Sequence, residues 1–281
     1  MKFLLICLFL YPLSVYSFRL NTNTAAAFGD KNIKIYVTSN STCSEAGISK
    51  EDLLDLAVKG ARDFWNKVPT SNINIERGGI LQTSNNLFLT GALCASDSQT
   101  SCPEATSVPT SIDDIVIACN NNTTDNFKSS SYLALSAPVR VSNQTIKGSI
   151  VLINDSTNTS FDTLSYNERL SVLAHEIGHA VGIGHSNKNE ALMYYANSDK
   201  LSKLSQDDID AITYLYPNRL DGCGGFFGGT IGKDGDPPIK QNLLMSLLLG
   251  TFLGWILLIF TKFFTALTRS SRLFVLKKVN S

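Results

Sequence analysis

Histidine is nearly missing from this 281-residue chain: only His175, His179 and His185 occur. That scarcity excludes a histidine-based metal site anywhere else. Acidic residues are missing from both ends, since every Asp and Glu lies between residues 18 and 240. Within that segment 24 carboxylates meet 18 cations, a net charge of −6, although the whole chain is formally neutral. A mildly acidic body argues against nucleic acid as a partner. No internal repeat is present.

The two acid-free ends are apolar, in different ways. At the start, Lys2 precedes an apolar stretch from Phe3 to Leu13, and the small residues Val15 and Ser17 follow. This pattern predicts a secretory signal over residues 1–17, cleaved after Ser17. It is too short for a membrane span, which needs about 20 apolar residues. Near the other end, Leu243 to Thr261 carries no charge. Nineteen residues at about 1.5 Å each cover about 28 Å, enough for the hydrocarbon core. Lys262, Arg269, Arg272, Lys277 and Lys278 follow. The positive-inside tendency then predicts one transmembrane helix (243–261), a basic cytoplasmic tail (262–281) and an extracellular or lumenal body. A GPI-anchor signal is the rival reading, but such signals end in their hydrophobic tail. Asp221 to Pro238 holds seven glycines and two prolines, so 221–240 reads as a stalk.

Cysteine and asparagine usage suits a secretory compartment. Cys43, Cys94, Cys102 and Cys119 allow two disulfides in three connectivities, with a local Cys94–Cys102 loop one option and Cys223 the odd cysteine. Asn40, Asn121, Asn122, Asn143, Asn154 and Asn158 each open an N-x-S/T sequon and are glycosylation candidates.

All three histidines fall in one run, His175-Glu176-Ile177-Gly178-His179-Ala180-Val181-Gly182-Ile183-Gly184-His185. Leu170, Leu173, Ala174, Ile177 and Val181 recur at helical spacing, and Ser165 three residues before Glu168 is a capping-box start. On that helix His175 and His179 share a face, one turn apart. Gly182 can take a positive φ, end the helix and let the chain bring His185 back to the same ion. Three imidazoles leave one tetrahedral position of a zinc open, the pattern of a catalytic site. Glu176 lies about 100° round the helix from His175. It is placed to reach the metal-activated water as general base, while the ion polarises the scissile carbonyl.

The run resembles the long zinc motif of the metzincin peptidases. Ala191-Leu192-Met193-Tyr194-Tyr195 resembles the Met-turn of that clan. Ser186 after the third histidine, Glu190-Ala191-Leu192-Met193-Tyr194 and Leu204-Ser205-Gln206-Asp207-Asp208-Ile209-Asp210 are most similar to the matrix metalloproteinases, or matrixins. The close likeness covers roughly residues 164–217. It implies an α+β fold: a zincin-like domain, a twisted mixed β-sheet with three helices, over residues 18–220. It further implies one catalytic zinc on His175, His179 and His185, and Met193 as the floor beneath it. Tyr194 and Tyr195 would wall the substrate pocket, with protein or peptide substrates paired to the strand near Ser149–Ile153. Departures are plain too. No histidines exist for the family's second, structural zinc, its calcium loops are not recognisable, and no haemopexin-like domain follows.

Signal removal would expose Phe18. By resemblance, its ammonium would pair with Asp207 or Asp208, with no cysteine-bearing propeptide needed. The leading expectation is a membrane-anchored zinc endopeptidase. The alternatives are a non-catalytic surface adhesion or binding protein keeping a zinc-bound fold, and a zinc hydrolase of another HExxH family. Retention of Glu176 argues against the first, and Gly182 with His185 against the second. Helices are predicted at 48–68, 165–183 and 205–216, and strands at 33–37 and near 72–76, 114–119 and 147–153.

Overall fold

The computed structural model describes residues 18–22, 25–94, 111–196 and 203–218. The chain divides into two units, Met1–Arg219 and Leu220–Ser281, and every described residue belongs to the first. The expected signal, stalk, transmembrane helix and tail lie outside the described residues, as do Cys102 and Cys223. Among the described residues no helix is long and apolar enough to cross a membrane.

Six strands form one mixed sheet: β1 (Ala27–Phe28), β2 (Asn32–Thr38), β3 (Asn74–Leu81), β4 (Ile115–Asn120), β5 (Ala134–Ser142) and β6 (Thr145–Asn154). The path runs β1-β6-β4-β2-β3 with parallel pairing throughout, and β5 adds to β6 antiparallel. The longer helices are α1 (Lys50–Asp63), α3 (Tyr166–Ala180) and α4 (Gln206–Leu215), with a four-residue α2 (Leu87–Thr90). The helix expected over 48–68 is shorter, capped by the Ser49 side chain and passing into a 3-10 turn at Trp65–Lys67.

Strand alternation divides the core. Ile115, Ile117, Cys119, Val151 and Ile153 pack on the face covered by the helices. Val116, Ala118, Ile150 and Leu152 pack on the opposite face with Phe88 and Phe127. Two-sided burial explains the unbroken apolar Ile150–Ile153 run, which is how a central parallel strand reads. The expectation that Ser149–Ile153 is an open edge is therefore wrong: β4 pairs one side of β6 and β5 the other. Among the described residues β5 pairs only with β6, which leaves its other edge free; this strand is absent from the sequence-based expectations, and Pro138 sits inside it. A two-residue turn links β5 to β6, with Asn143 and Gln144 at φ of 49° and 62°. Positive φ at both central residues matches the twist of a hairpin.

Helix α3 is seated firmly. The Trp65 indole is fully buried and donates to Ala174 O at 2.8 Å. Truncating such a side chain to alanine costs about 3–5 kcal/mol. Gly60 of α1 faces α3, where a Cβ would stand in ordinary contact with Ala174 N at 3.4 Å. A disulfide joins Cys43, just beyond β2, to Cys119 of β4, and Cys94 is disulfide-bonded as well. Among the sequons, Asn121, Asn143 and Asn158 are exposed, and Asn40 and Asn122 are half-buried. Asn154 is fully buried and donates to Tyr132 O, so the folded domain has no room for a glycan there.

Candidate metal centre

Helix α3 begins where expected. Ser165 accepts from Glu168 N, and the Glu168 carboxylate reaches back to Ser165 N. The helix carries His175, Glu176 and His179 into the interior, 4%, 6% and 7% exposed. It ends at Ala180, and Gly182 takes φ 107°, as the reversal demands. A Cβ on Gly182 would meet Ala26 O at 2.4 Å, so both conformation and space require glycine. The reversal delivers His185, whose ring is the exposed member of the set.

One nitrogen from each ring lies within 4.8 Å of the others. His175 Nδ1 is 2.6 Å from Leu192 O, and His179 Nδ1 is 2.8 Å from Ile183 O. A carbonyl only accepts, so both Nδ1 atoms carry the proton and both Nε2 lone pairs are free. The His179 Nε2 stands 3.1 Å from His185 Nε2. Burial pushes His175 down to about 4, His179 well below the imidazole range, and His185 down as well. Neutral imidazoles with converging lone pairs, His175 and His179 each oriented by a carbonyl behind it, are a donor set suited to zinc.

Glu176 faces β5. Its Oε2 lies 2.6 Å from Ser136 Oγ, and its main-chain oxygen lies 2.7 Å from the same hydroxyl. Burial pushes the Glu176 carboxyl up to about 7, against the lowering effect of the Ser136 hydroxyl. Ser136 did not emerge from the sequence; it is 40 residues from Glu176, in the unassigned strand.

Met193 is buried beneath α3, where a Cβ on Gly178 would stand 2.4 Å from its Sδ. Met193 thus packs closely on Gly178, the glycine inside the three-histidine run. Asp208 holds this turn: its Oδ2 accepts from Leu192 N at 2.8 Å and its Oδ1 from Met193 N at 3.0 Å. It also caps α4 through Ser205 N and Oγ, each at 2.8 Å. With both oxygens committed, Asp208 is an anchor rather than a partner for an ammonium. Asp207 Oδ2 takes the Ser186 hydroxyl at 2.5 Å, while its Oδ1 is buried without a hydrogen-bond partner. Phe18 packs its ring on Tyr214, with centroids 5.6 Å apart, and its chain neighbour Leu20 bridges Ile183. Tyr194 bridges Ser186, next to His185, and stacks on Tyr195, which is 67% exposed. Residues 197–202 lie outside the described residues.

Two histidines one turn apart on a buried helix, a third returned by a glycine reversal and an adjacent buried carboxylate define a three-histidine metal centre. Residues 104–217 match the family model described as Matrixin. This part of the chain is thus a matrix metalloproteinase-like domain. It is 57% identical over 49 residues to stromelysin-1 of Mus musculus, covering 16% of this chain and 10% of that protein. Matrilysin of Homo sapiens is 49% identical over 53 residues, 18% of this chain and 20% of that protein. Metalloendoproteinase 5-MMP of Arabidopsis thaliana is 46% identical over 57 residues, 20% of this chain and 16% of that protein. The matched stretch spans no more than a fifth of the length of any of these relatives.

Proposed function

We propose that this protein is a zinc-dependent endopeptidase acting on proteins or peptides outside the cytoplasm. The observation that carries the reading is the convergence of three neutral imidazoles beside the buried Glu176 carboxyl. His175, His179 and His185 would hold the ion, which when bound would supply Lewis acidity to the scissile carbonyl and acidity to the attacking water. Glu176 takes that water's proton and returns it to the leaving amine nitrogen. Met193 keeps the floor beneath the imidazoles apolar and dry.

The substrate strand adds to β5. Asn154 N bonds Leu133 O inward, so by antiparallel alternation Ala134, Ser136 and Pro138 turn their main-chain groups to the free edge. An extended peptide pairs there, beside Glu176. Tyr194 and Tyr195 flank an apolar side-chain pocket past the scissile bond. Of the two expected partners for a Phe18 ammonium, only Asp207 retains a free oxygen. It lines an open groove with Ser205, Gln206 and Asp210. Signal cleavage after Ser17, a 221–240 stalk and a 243–261 span anchor the domain on the outer or lumenal face.

The test is incubation of the purified protein with a peptide library, with and without a chelator. Chelator-sensitive cleavage that zinc restores supports the reading. Zinc-replete protein that binds peptides but cuts none would make it a non-catalytic binding protein.

A further inference from the structure

Among the described residues, Ser136 joins the free edge of β5 to the Glu176 carboxyl by a side-chain hydrogen bond. Its hydroxyl has a single proton and two acceptors in reach, Glu176 Oε2 at 2.6 Å and Glu176 O at 2.7 Å. Both contacts fall on Glu176, so the hydroxyl ties the side chain and the main chain of that one residue to β5. Ser136 also sits where β5 turns its own N–H and C=O to the open edge. One residue thus meets the docked peptide with its backbone and the general base with its side chain. A partly exposed carboxylate with free rotamers would sample several positions; this one has an oxygen pinned.

We propose that Ser136 is a positioning residue for Glu176, tying the base to the strand on which the substrate docks. The proposal rests on the peptidase reading above. A purely structural alternative exists, in which the hydroxyl only ties β5 to α3 through Glu176 O. That role would affect stability and peptide binding, not the chemical step.

The full chain, zinc-loaded, is compared as wild type, Ser136→Ala, Ser136→Thr and Glu176→Ala on a peptide that wild type cleaves. Ser136→Ala should lower kcat about 10–30-fold with KM within about twofold. Ser136→Thr keeps the hydroxyl on a residue suited to a strand and should recover kcat to within about threefold of wild type. Zinc content should be the same in all four. A crystal structure of Ser136→Ala should show Glu176 Oε2 displaced or in more than one rotamer. Unchanged kcat, a KM effect alone, or loss that threonine does not rescue would overturn the proposal. Should wild type itself cleave nothing, the peptidase reading fails instead. The crystallographic result then decides alone, and a Glu176 rotamer unmoved in Ser136→Ala overturns the proposal.

Discussion

His175 Nδ1 lies 2.6 Å from the main-chain oxygen of Leu192, and the Leu192 amide lies 2.8 Å from Asp208 Oδ2. A single residue thus links an α3 imidazole to the first turn of α4. Asp208→Ala leaves two buried amides without an acceptor, at about 1–3 kcal/mol each. We expect a loss of about 3 kcal/mol in urea unfolding. Zinc affinity should fall about 10–100-fold, as when a group supporting a ligand is removed. Competition with a chromogenic chelator measures the second effect. Unchanged zinc affinity would show that Leu192 does not orient His175.

The pH dependence of the metal-free protein separates two opposed groups. His175 is held at about 4, against about 6.5 unfolded. The unfolded chain therefore takes the proton first, and stability from His175 is full above pH 6.5 and lost as pH falls towards 4. The size is about 3 kcal/mol. His179 and His185 shift in the same direction. Glu176, raised to about 7 from 4.5, acts oppositely and gains stability as pH falls through that window. Urea unfolding across pH 4–7 should thus give a flatter profile for His175→Asn and a steeper acid loss for Glu176→Gln. The reverse order, or no change in either, would contradict the site electrostatics.

The metal centre was legible because its parts are neighbours in sequence. Helical spacing places His175 and His179, and glycine chemistry accounts for the reversal to His185. What escaped came from residues far apart in the chain. Ser136 meets Glu176 only through sheet order, and Cys43 finds Cys119 across 76 residues, one of several pairings the cysteines allowed. The misplaced edge had a readable signal. Ile150–Ile153 is apolar at every position, whereas an edge with one wet face would alternate. Strand β5 hid behind Pro138, tolerated because its missing N–H would have pointed away from β6.

Pro138 also shortens the ladder offered to a substrate. Ala134 and Ser136 present both N–H and C=O at the edge, but Pro138 presents only C=O. Pro138→Ala should add one donor and lower KM several-fold for peptides long enough to reach it, leaving shorter peptides unaffected. Each net hydrogen bond is worth about 1 kcal/mol. Equal effects on long and short peptides would place the substrate elsewhere.

The free Asp207 oxygen predicts a dependence on the exact start of the mature chain. A Phe18 ammonium reaching Asp207 Oδ1 would make a charge-assisted bond beside the Met193 turn. Its ring now rests on Tyr214, so the segment must slide along α4 to do so. Protein beginning at Phe18 should be more active than protein extended by a few residues, and Asp207→Asn should erase the difference. N-terminal sequencing of the mature protein identifies the natural start. Equal activities, or a start well beyond Phe18, would remove the idea.

The most direct measurement is turnover and zinc content of Glu176→Ala beside wild type. Removing a general base while leaving three imidazoles should lower kcat about 10^2–10^4-fold with zinc still bound one to one. Turnover at the wild-type rate from the zinc-loaded variant would contradict the account.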